Sequence, residues 1–398
     1  CLSLIVEVLN LKALNPNLPE EFSDTFDKDK YIKSQDYTRT NTKFSFITSS
    51  FSLLINLSFI LCGFYNAIDI YVRNLSDNNI IAGLLFFALL FVINDILNLP
   101  FSLYKTFIIE EKYGFNKTSF NTYWVDKIKG YFLTVIIGAP VLSLILYFFS
   151  TFISYGWLYV WIFLVAFSII LQPIFTIFIA PMFNKFTPLE EGPLLTRIKD
   201  YLKQVNFPVR RLEVVDGSKR SSHSNAYFSG IGKYKRIALF DTLLKQMDDD
   251  EILSIIAHEV GHYKLKHIYS GILLSSVQSG IMLFILSLFI NNEQLFAVFS
   301  MQEGNLSIYA SLVFFSMLYS PIALIVGIFF SVVSRRNEFS ADVYSAETAK
   351  MPKSLISGLK KLSKENLSNL TPHWLNVFLN YSHPPVLDRI KALKLYIK

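Results

Sequence analysis

The sequence carries little charge and almost no cysteine. Asp, Glu, Lys and Arg make up 17% of the 398 residues, whereas a soluble globular chain carries about 25%. The two cysteines, Cys1 and Cys62, are too few for a disulfide framework or a thiolate metal site. Any metal must therefore be held by histidine and carboxylate ligands. Hydrophobic residues reach 52% and include 37 Phe, so we expect a membrane protein rather than a soluble one.

Long apolar stretches replace the missing charge. A membrane-spanning helix needs about 20 mostly apolar residues. Six stretches without Lys or Arg meet this length, at 46–72, 80–103, 131–150, 157–180, 268–291 and 307–333. Residues 1–9 resemble the end of a further span, and the N-terminus before Cys1 is expected to be missing. The pattern predicts a mainly α, multipass membrane protein.

Basic residues lie almost entirely on one side of these predicted spans. Of the 37 Lys and Arg, all except Arg73 fall in 10–45, 104–130, 181–267 or 334–398, which share one side if the stub and all six stretches cross. Lys and Arg are enriched in cytoplasmic loops, so we place these segments in the cytoplasm. The net charge of +6 then reflects topology, and we expect no nucleic-acid partner.

Several polar residues lie inside the predicted spans, among them Asp69, Asn94, Asp95 and Asn98. A carboxylate in lipid is costly, so such groups usually face other helices or water. They indicate either a hydrated chamber or hydrogen bonds between helices, and the sequence leaves both open.

One segment has the spacing of a catalytic zinc site. His258 and His262 are four residues apart in a predicted helix, so both imidazoles emerge on one face. Glu259 lies beside them and is placed to take a proton from a zinc-activated water. Asp248 and Glu251 form a predicted capping box at the start of this helix.

A catalytic zinc needs a third protein ligand. Glu338 and Asp342 are also four residues apart, so Glu338 is a candidate ligand and Asp342 a candidate hydrogen-bond acceptor for a ligating histidine. The alternative is a solvated acidic pair near Arg335 and Arg336. His267 is expected to point elsewhere, as an interfacial residue and not a ligand.

His383 lies in a Ser-His-Pro-Pro turn, where a fixed imidazole can donate to a developing oxyanion, although the sequence alone favours an ordinary turn histidine. Short strands are predicted at 212–215 and 236–241, on either side of Asn225.

Six motifs together resemble the type I CAAX prenyl protease family. They are IEEKYGFNKTS at 109–119, APMFNKFTPL at 180–189, SNAYFSG at 224–230, HEVGH at 258–262, NEFSAD at 337–342 and SHPP at 382–385. The resemblance spans nearly the whole chain. It implies a seven-helix transmembrane barrel around a hydrated chamber, capped by a thermolysin-like zincin domain with a small β-sheet.

The resemblance also implies roles for single residues. His258, His262 and Glu338 would hold one Zn²⁺ per chain, with Glu259 as the catalytic base and Asp342 supporting the site. Asn225 would bind the substrate backbone, and His383 would contact the substrate carbonyl and stabilise the tetrahedral intermediate. Arg389 would support the site electrostatically, pairing with Glu or with the substrate terminus.

The expected activity is that of a zinc endopeptidase. Its partners would be the lipid bilayer and a peptide or prenylated peptide, because eukaryotic members of this family remove a C-terminal tripeptide from prenylated proteins. The other substrate class is membrane peptides that are being degraded. The richness in Phe, Ile, Asn and Lys favours a bacterial inner membrane, with the endoplasmic reticulum membrane as the alternative. A monomer is the expected state.

The expected domains alternate along the chain. Residues 1–180 would carry transmembrane helices 1 to 5, with helix 1 truncated, and 268–333 helices 6 and 7. Residues 181–267 and 334–398 would form the two parts of the catalytic domain.

Three alternatives fit less well. Site-2 type proteases place the motif within a membrane helix, whereas here Lys264 and Lys266 follow it. The smaller heat-shock membrane proteases have fewer spans. A transporter with a structural zinc would not require Glu259 beside the ligands.

Overall fold

The structure is a computed structural model and describes residues 2–207, 209, 211–230, 235–290, 292–299 and 306–397. Most of these residues are helical. In chain order the helices are α1 (Leu2–Lys12), α2 (Lys28–Leu61), α3 (Phe64–Leu75), α4 (Asn79–Tyr104), α5 (Glu111–Tyr113), α6 (Phe120–Leu133), α7 (Ala139–Thr151), α8 (Gly156–Ile174), α9 (Ala180–Phe183), α10 (Pro193–Gln204), α11 (Asp241–Gln246), α12 (Asp249–Lys264), α13 (His267–Phe289), α14 (Glu293–Val298), α15 (Ile308–Thr348), α16 (Pro352–Glu365), α17 (Trp374–Asn380) and α18 (Val386–Lys394).

Six helical runs in the described residues are long and apolar enough to cross a membrane, as the sequence predicts. They are Lys28–Leu61, Asn79–Tyr113, Phe120–Thr151, Gly156–Phe183, His267–Phe289 and Ile308–Thr348. Three of the runs join two α-helices through one π-helical turn, at Lys105–Glu110, Thr134–Gly138 and Phe175–Ile179. Large apolar side chains such as Phe178, Leu288 and Ile325 are 65–69% exposed, which suits surfaces that face lipid.

The predicted stretch 46–72 is not one helix. Helix α2 already begins at Lys28, where the Asp27 side chain accepts a hydrogen bond from the backbone N–H of Lys30 at 2.7 Å. It ends before Gly63, whose φ of 63° is readily adopted only by glycine. Helix α3 begins after this glycine, at Phe64. Apolar composition showed where the chain is hydrophobic but did not show this break.

Two intramembrane carboxylates have protein partners. Lys127 and the Tyr131 hydroxyl each lie 2.6 Å from a different oxygen of Asp95, and the Tyr309 hydroxyl donates to Asp69 at 2.5 Å. The sequence left open whether such polar groups line a hydrated chamber or form hydrogen bonds between helices. For Asp69 and Asp95 the structure shows hydrogen bonds between helices.

The described strands form one four-stranded sheet. They are β1 (Phe186–Pro188), β2 (Arg211–Val215), β3 (Ala226–Ser229) and β4 (Arg236–Phe240), in the order β1-β2-β4-β3. β2 and β4 are parallel, and each outer strand is antiparallel to its neighbour, with Ala226 opposite Leu239. The strands predicted at 212–215 and 236–241 are confirmed to within one residue. β3 lies at an edge of the sheet.

A hydrophobic core joins chain segments that are far apart in sequence. Ile198 and Ile256 come from the segment before the last two membrane runs, Leu355 and Ile390 come from the segment after them, and Phe22 comes from the N-terminal region. Each fully buried side chain of this kind contributes about 1.5–3 kcal/mol. The two segments therefore stabilise each other, and α12, in the first of them, contributes Ile256 to the shared core.

Candidate active site

Helix α12 carries the paired histidines and starts where the sequence predicts. The Asp248 side chain accepts from the backbone N–H of Glu251, and the Glu251 side chain accepts from that of Asp248, both at 3.0 Å. Glu251 also accepts from Ser357 at 2.6 Å and from Lys361 at 2.7 Å. The start of α12 is therefore held against α16.

His258, His262 and Glu338 meet in space, and one ligand atom of each lies within 4.8 Å of the others. The two Nε2 atoms are 3.1 Å apart, and the Glu338 oxygens lie 3.5 Å from that of His258 and 3.2 Å from that of His262. Adjacent ligands of a tetrahedral zinc with bonds of about 2.0–2.1 Å lie about 3.3–3.4 Å apart. The residues present thus fit a metal ion bound by two imidazoles and a carboxylate.

Glu338 reaches the histidines because the last membrane run continues into the site. Helix α15 extends without a break from Ile308 to Thr348, so Glu338 and Asp342 lie one turn apart on its buried face. It packs closely on α12. A Cβ on Gly261 would lie 3.2 Å from the Cα of Ala341 and 3.2 Å from its carbonyl oxygen. The glycine between the two histidines thus permits the approach that brings Glu338 to them.

Asp342 and Arg389 support the trio from behind. Asp342 Oδ1 lies 2.9 Å from Nδ1 of His258, which leaves Nε2 directed at the metal position. Arg389 donates to both Asp342 oxygens at 2.7 and 2.6 Å, and its Nη1 lies 3.4 Å from Glu338. Asp342 is 1% exposed and Arg389 9%. The closest partner of Arg389 is thus Asp342, which the sequence did not name for it, while Glu338 is a partner of the predicted kind.

Burial and hydrogen bonding shift the proton affinities on α12. Burial raises the pKa of Glu259 above its ordinary value, and a more basic carboxylate is a better proton acceptor near neutral pH. Burial lowers the pKa of His258, but hydrogen bonds to Asp342 and Glu338 outweigh burial and raise it to about 9. Without a metal, the carboxylates therefore favour a proton on His258.

The trio opens onto a cavity of about 790 Å³. Its wall includes Glu259, Asn225 and His383, together with residues of the membrane runs α13 and α15. Asn225 precedes the edge strand β3, and its side-chain oxygen accepts from the backbone N–H of Ala226 at 2.8 Å. Nε2 of His383 lies 3.4 Å from Glu338. The structure thus brings every sequence-predicted site residue to the cavity or to the carboxylates behind it.

Two residues at this site were missed from the sequence. Arg335 donates to the backbone carbonyls of Val377 and Tyr381 at 3.0 and 2.5 Å, so it holds the chain just before His383. His267 was expected to point elsewhere, yet its Nδ1 lies 3.1 Å from Nδ1 of His262. Arg335 lies two residues before the NEFSAD segment, and this nearness was the one available sequence signal. No sequence signal marked His267.

The chain matches two family profiles that divide it between them. Residues 7–185 match the family described as CAAX prenyl protease N-terminal, five membrane helices. Residues 188–397 match Peptidase family M48. The second match includes all three residues of the metal-site trio.

Curated relatives align over almost the whole chain. A CAAX prenyl protease 1 homolog of Oryza sativa subsp. japonica is 36% identical over 95% of this chain and 90% of its own length. The Homo sapiens homolog is 34% identical over 95% and 89%, and CAAX prenyl protease 1 of Saccharomyces cerevisiae is 33% identical over 96% and 89%. These relatives are eukaryotic and do not bear out the bacterial source suggested by composition.

The same architecture occurs in a solved structure. The crystal structure of S. mikatae Ste24p superposes with a TM-score of 0.93 and 32% sequence identity, covering 98% of this chain and 95% of that one. Two family profiles, full-length relatives above 30% identity and this superposition agree with the metal-ligand geometry. The chain therefore belongs to the CAAX prenyl protease 1 family of M48 peptidases and is a metalloprotease of the membrane.

Proposed function

We propose that this protein is a zinc endopeptidase that cleaves the C-terminal CAAX segment of prenylated proteins. The observation that carries the proposal is the convergence of His258, His262 and Glu338 at the wall of a cavity that the membrane runs help to line. The relatives named CAAX prenyl protease 1 support the substrate class.

Glu259 is the proposed general base. A zinc ion held by the trio supplies Lewis acidity. Glu259 takes the proton of the attacking water and then delivers it to the departing amine nitrogen. Its raised pKa, caused by burial, suits both transfers.

His383 is proposed to donate to the developing oxyanion. Its Nδ1 lies 3.0 Å from the Ser382 hydroxyl. If this hydroxyl donates to Nδ1, the imidazole proton resides on Nε2, the nitrogen directed at the site. A donor fixed in this way stabilises charge that develops on the substrate carbonyl oxygen.

The edge strand β3 is the proposed docking site for the substrate backbone. A peptide can extend a sheet by pairing with an exposed edge, and Asn225 to Phe228 line the cavity along this edge. Asn225 would hydrogen-bond the substrate backbone there. Arg389 would keep Asp342, and through it His258, in place.

We propose that residues 181–267 and 334–398 form one catalytic domain on the cytoplasmic side of the membrane. The membrane runs of 1–180 and 268–333 would enclose a hydrated chamber next to this domain. The distribution of basic residues supports this side, and the shared core supports a single domain. Because the relatives are eukaryotic, we favour the endoplasmic reticulum membrane over a bacterial inner membrane.

The test uses the purified protein and one peptide in two forms, farnesylated and not farnesylated at the CAAX cysteine. Mass spectrometry should detect release of the C-terminal tripeptide from the farnesylated form, and the Glu259→Gln variant should release none. Cleavage of unprenylated membrane peptides without cleavage of the farnesylated one would contradict CAAX processing and favour a role in peptide turnover.

A further inference from the structure

His267 lies against the metal site just after a two-residue turn that follows α12. Helix α12 ends at Lys264, and Lys266 adopts a left-handed conformation with φ of 60°, which is unusual for a residue other than glycine. Helix α13 then begins at His267. The His267 and His262 rings meet at an interplanar angle of 75° with centroids 5.1 Å apart.

The contact between the two rings fixes the positions of the imidazole protons. Nε2 of His262 is the nitrogen that faces His258 and Glu338. A neutral imidazole that binds a metal through Nε2 carries its proton on Nδ1. That proton points to Nδ1 of His267, 3.1 Å away. Two N–H groups cannot bond to each other, so Nδ1 of His267 must accept, and the His267 proton resides on Nε2.

Ser340 completes the arrangement. Its hydroxyl oxygen lies 3.3 Å from Nε2 of His267. The Ser340 hydroxyl is itself 3.1 Å from the carbonyl oxygen of Arg336 and 2.9 Å from that of Asn337, so its hydrogen is directed at the backbone and a lone pair remains to accept from His267. One chain of hydrogen bonds thus links the three residues: His262 donates to His267, and His267 donates to Ser340.

We propose that His267 is a positioning residue that sets the tautomer and the ring orientation of His262. The two ligating histidines are then supported differently, His258 by the Asp342 carboxylate at 2.9 Å and His262 by a neutral imidazole. A neutral acceptor orients the ring without adding negative charge beside Glu338. This inference rests on the proposed zinc site, because the proton positions follow from a metal at Nε2 of His262.

The test measures the zinc affinity of the whole chain by competition with a chelator, alongside the visible spectrum of the cobalt-substituted form. His267→Phe keeps a ring but removes the acceptor, and we expect zinc affinity to fall about 10–100-fold. His267→Asn retains a carbonyl oxygen near the Nδ1 position and should recover most of the affinity. Ser340→Ala should weaken binding less than His267→Phe does and shift the cobalt spectrum.

Matched controls lie on the same helix. Tyr269→Phe removes a hydroxyl two residues away, and Ser270→Ala removes a serine that bonds the backbone carbonyl of His267, so both should bind zinc as the unaltered protein does. Zinc affinity of His267→Phe within threefold of the unaltered protein, or equal losses for Phe and Asn, would overturn the inference. If His267→Phe does not fold, an unchanged cobalt spectrum in Ser340→Ala would overturn it.

Failure of the inference is distinguishable from failure of the proposed function. If the His267 variants bind zinc and cleave peptide normally, only the inference fails. If the unaltered protein binds no zinc, the proposed function itself is wrong.

Discussion

At the residue scale, His258 has two separate tasks. Its Nε2 belongs to the metal-site trio, while its Nδ1 lies 2.9 Å from a carboxylate that is 1% exposed. Asp342 is in turn paired with Arg389. Removal of either partner would leave an uncompensated buried charge, which costs about 3–5 kcal/mol.

The protonation of His258 makes metal binding depend on pH. In the metal-free site its pKa is raised to about 9, and the imidazolium must lose its proton before it can bind a metal. Below pH 9 each unit of acidification should therefore weaken the apparent zinc affinity about tenfold, because the proton competes at a constant cost per pH unit. Chelator competition between pH 6 and 8.5 measures the slope. An affinity that does not change over this range would contradict the prediction.

At the scale of elements, the contact between α12 and α15 brings Glu338 to the histidines. Gly261→Ala would press a methyl group against Ala341 and the Tyr344 side chain at 3.2 Å. We expect a loss of about 1–3 kcal/mol from overpacking, even though alanine favours a helix by about 1 kcal/mol over glycine. Zinc affinity should fall as well. Thermal unfolding and chelator competition measure the two effects.

Gly327→Ala is the matched control, since it lies on α15 with no atom within 4 Å of the added methyl group. It should bind zinc normally. Equal behaviour of the two alanine variants would show that the close approach at Gly261 has no role.

Arg335 connects α15 to the segment before His383. Arg335→Ala would free the carbonyls of Val377 and Tyr381, and small misplacements of a catalytic group reduce rates strongly. We expect kcat to fall at least about tenfold while zinc content stays at one per chain. The neighbouring Arg336, whose side chain is exposed, provides the control. An Arg335→Ala variant as active as Arg336→Ala would refute this role.

Local pattern was enough to predict some elements and not others. The four-residue spacing in α12 and α15 predicted which side chains share a face, and the capping residues predicted where α12 begins. The sequence does not predict the left-handed turn at Lys266, because lysine is not a residue that favours this backbone conformation. The contact of Arg335 with Tyr381 depends on two segments 46 residues apart, and no local pattern reports such a distance.

The membrane runs show the same limit. Composition located all six, but their ends and breaks depend on single residues. Gly63 breaks the first predicted stretch, 46–72, into two helices. The last run continues far past its apolar part to Thr348, where Glu338 and Asp342 are buried in the site rather than solvated. Hydropathy alone would have ended that helix near residue 333.

At the scale of the whole molecule, the distribution of charge predicts the orientation in the membrane. Loops predicted on one side hold all of the Lys and Arg except Arg73. In sealed membranes with the cytoplasmic face outward, and with Cys1 and Cys62 replaced, an impermeant maleimide should label Lys203→Cys at once. Asp77→Cys should be labelled only after detergent is added. The reverse order would place the active site on the opposite side.

The central claim is that Glu259 is the base of a zinc peptidase. The most direct measurement is zinc content together with peptide hydrolysis in Glu259→Gln, with Glu338→Ala for comparison. We predict that Glu259→Gln retains one zinc per chain and loses hydrolysis, because it alters the base and leaves the trio intact. Glu338→Ala should lose stoichiometric zinc on dialysis. Full hydrolysis by Glu259→Gln would contradict the mechanism.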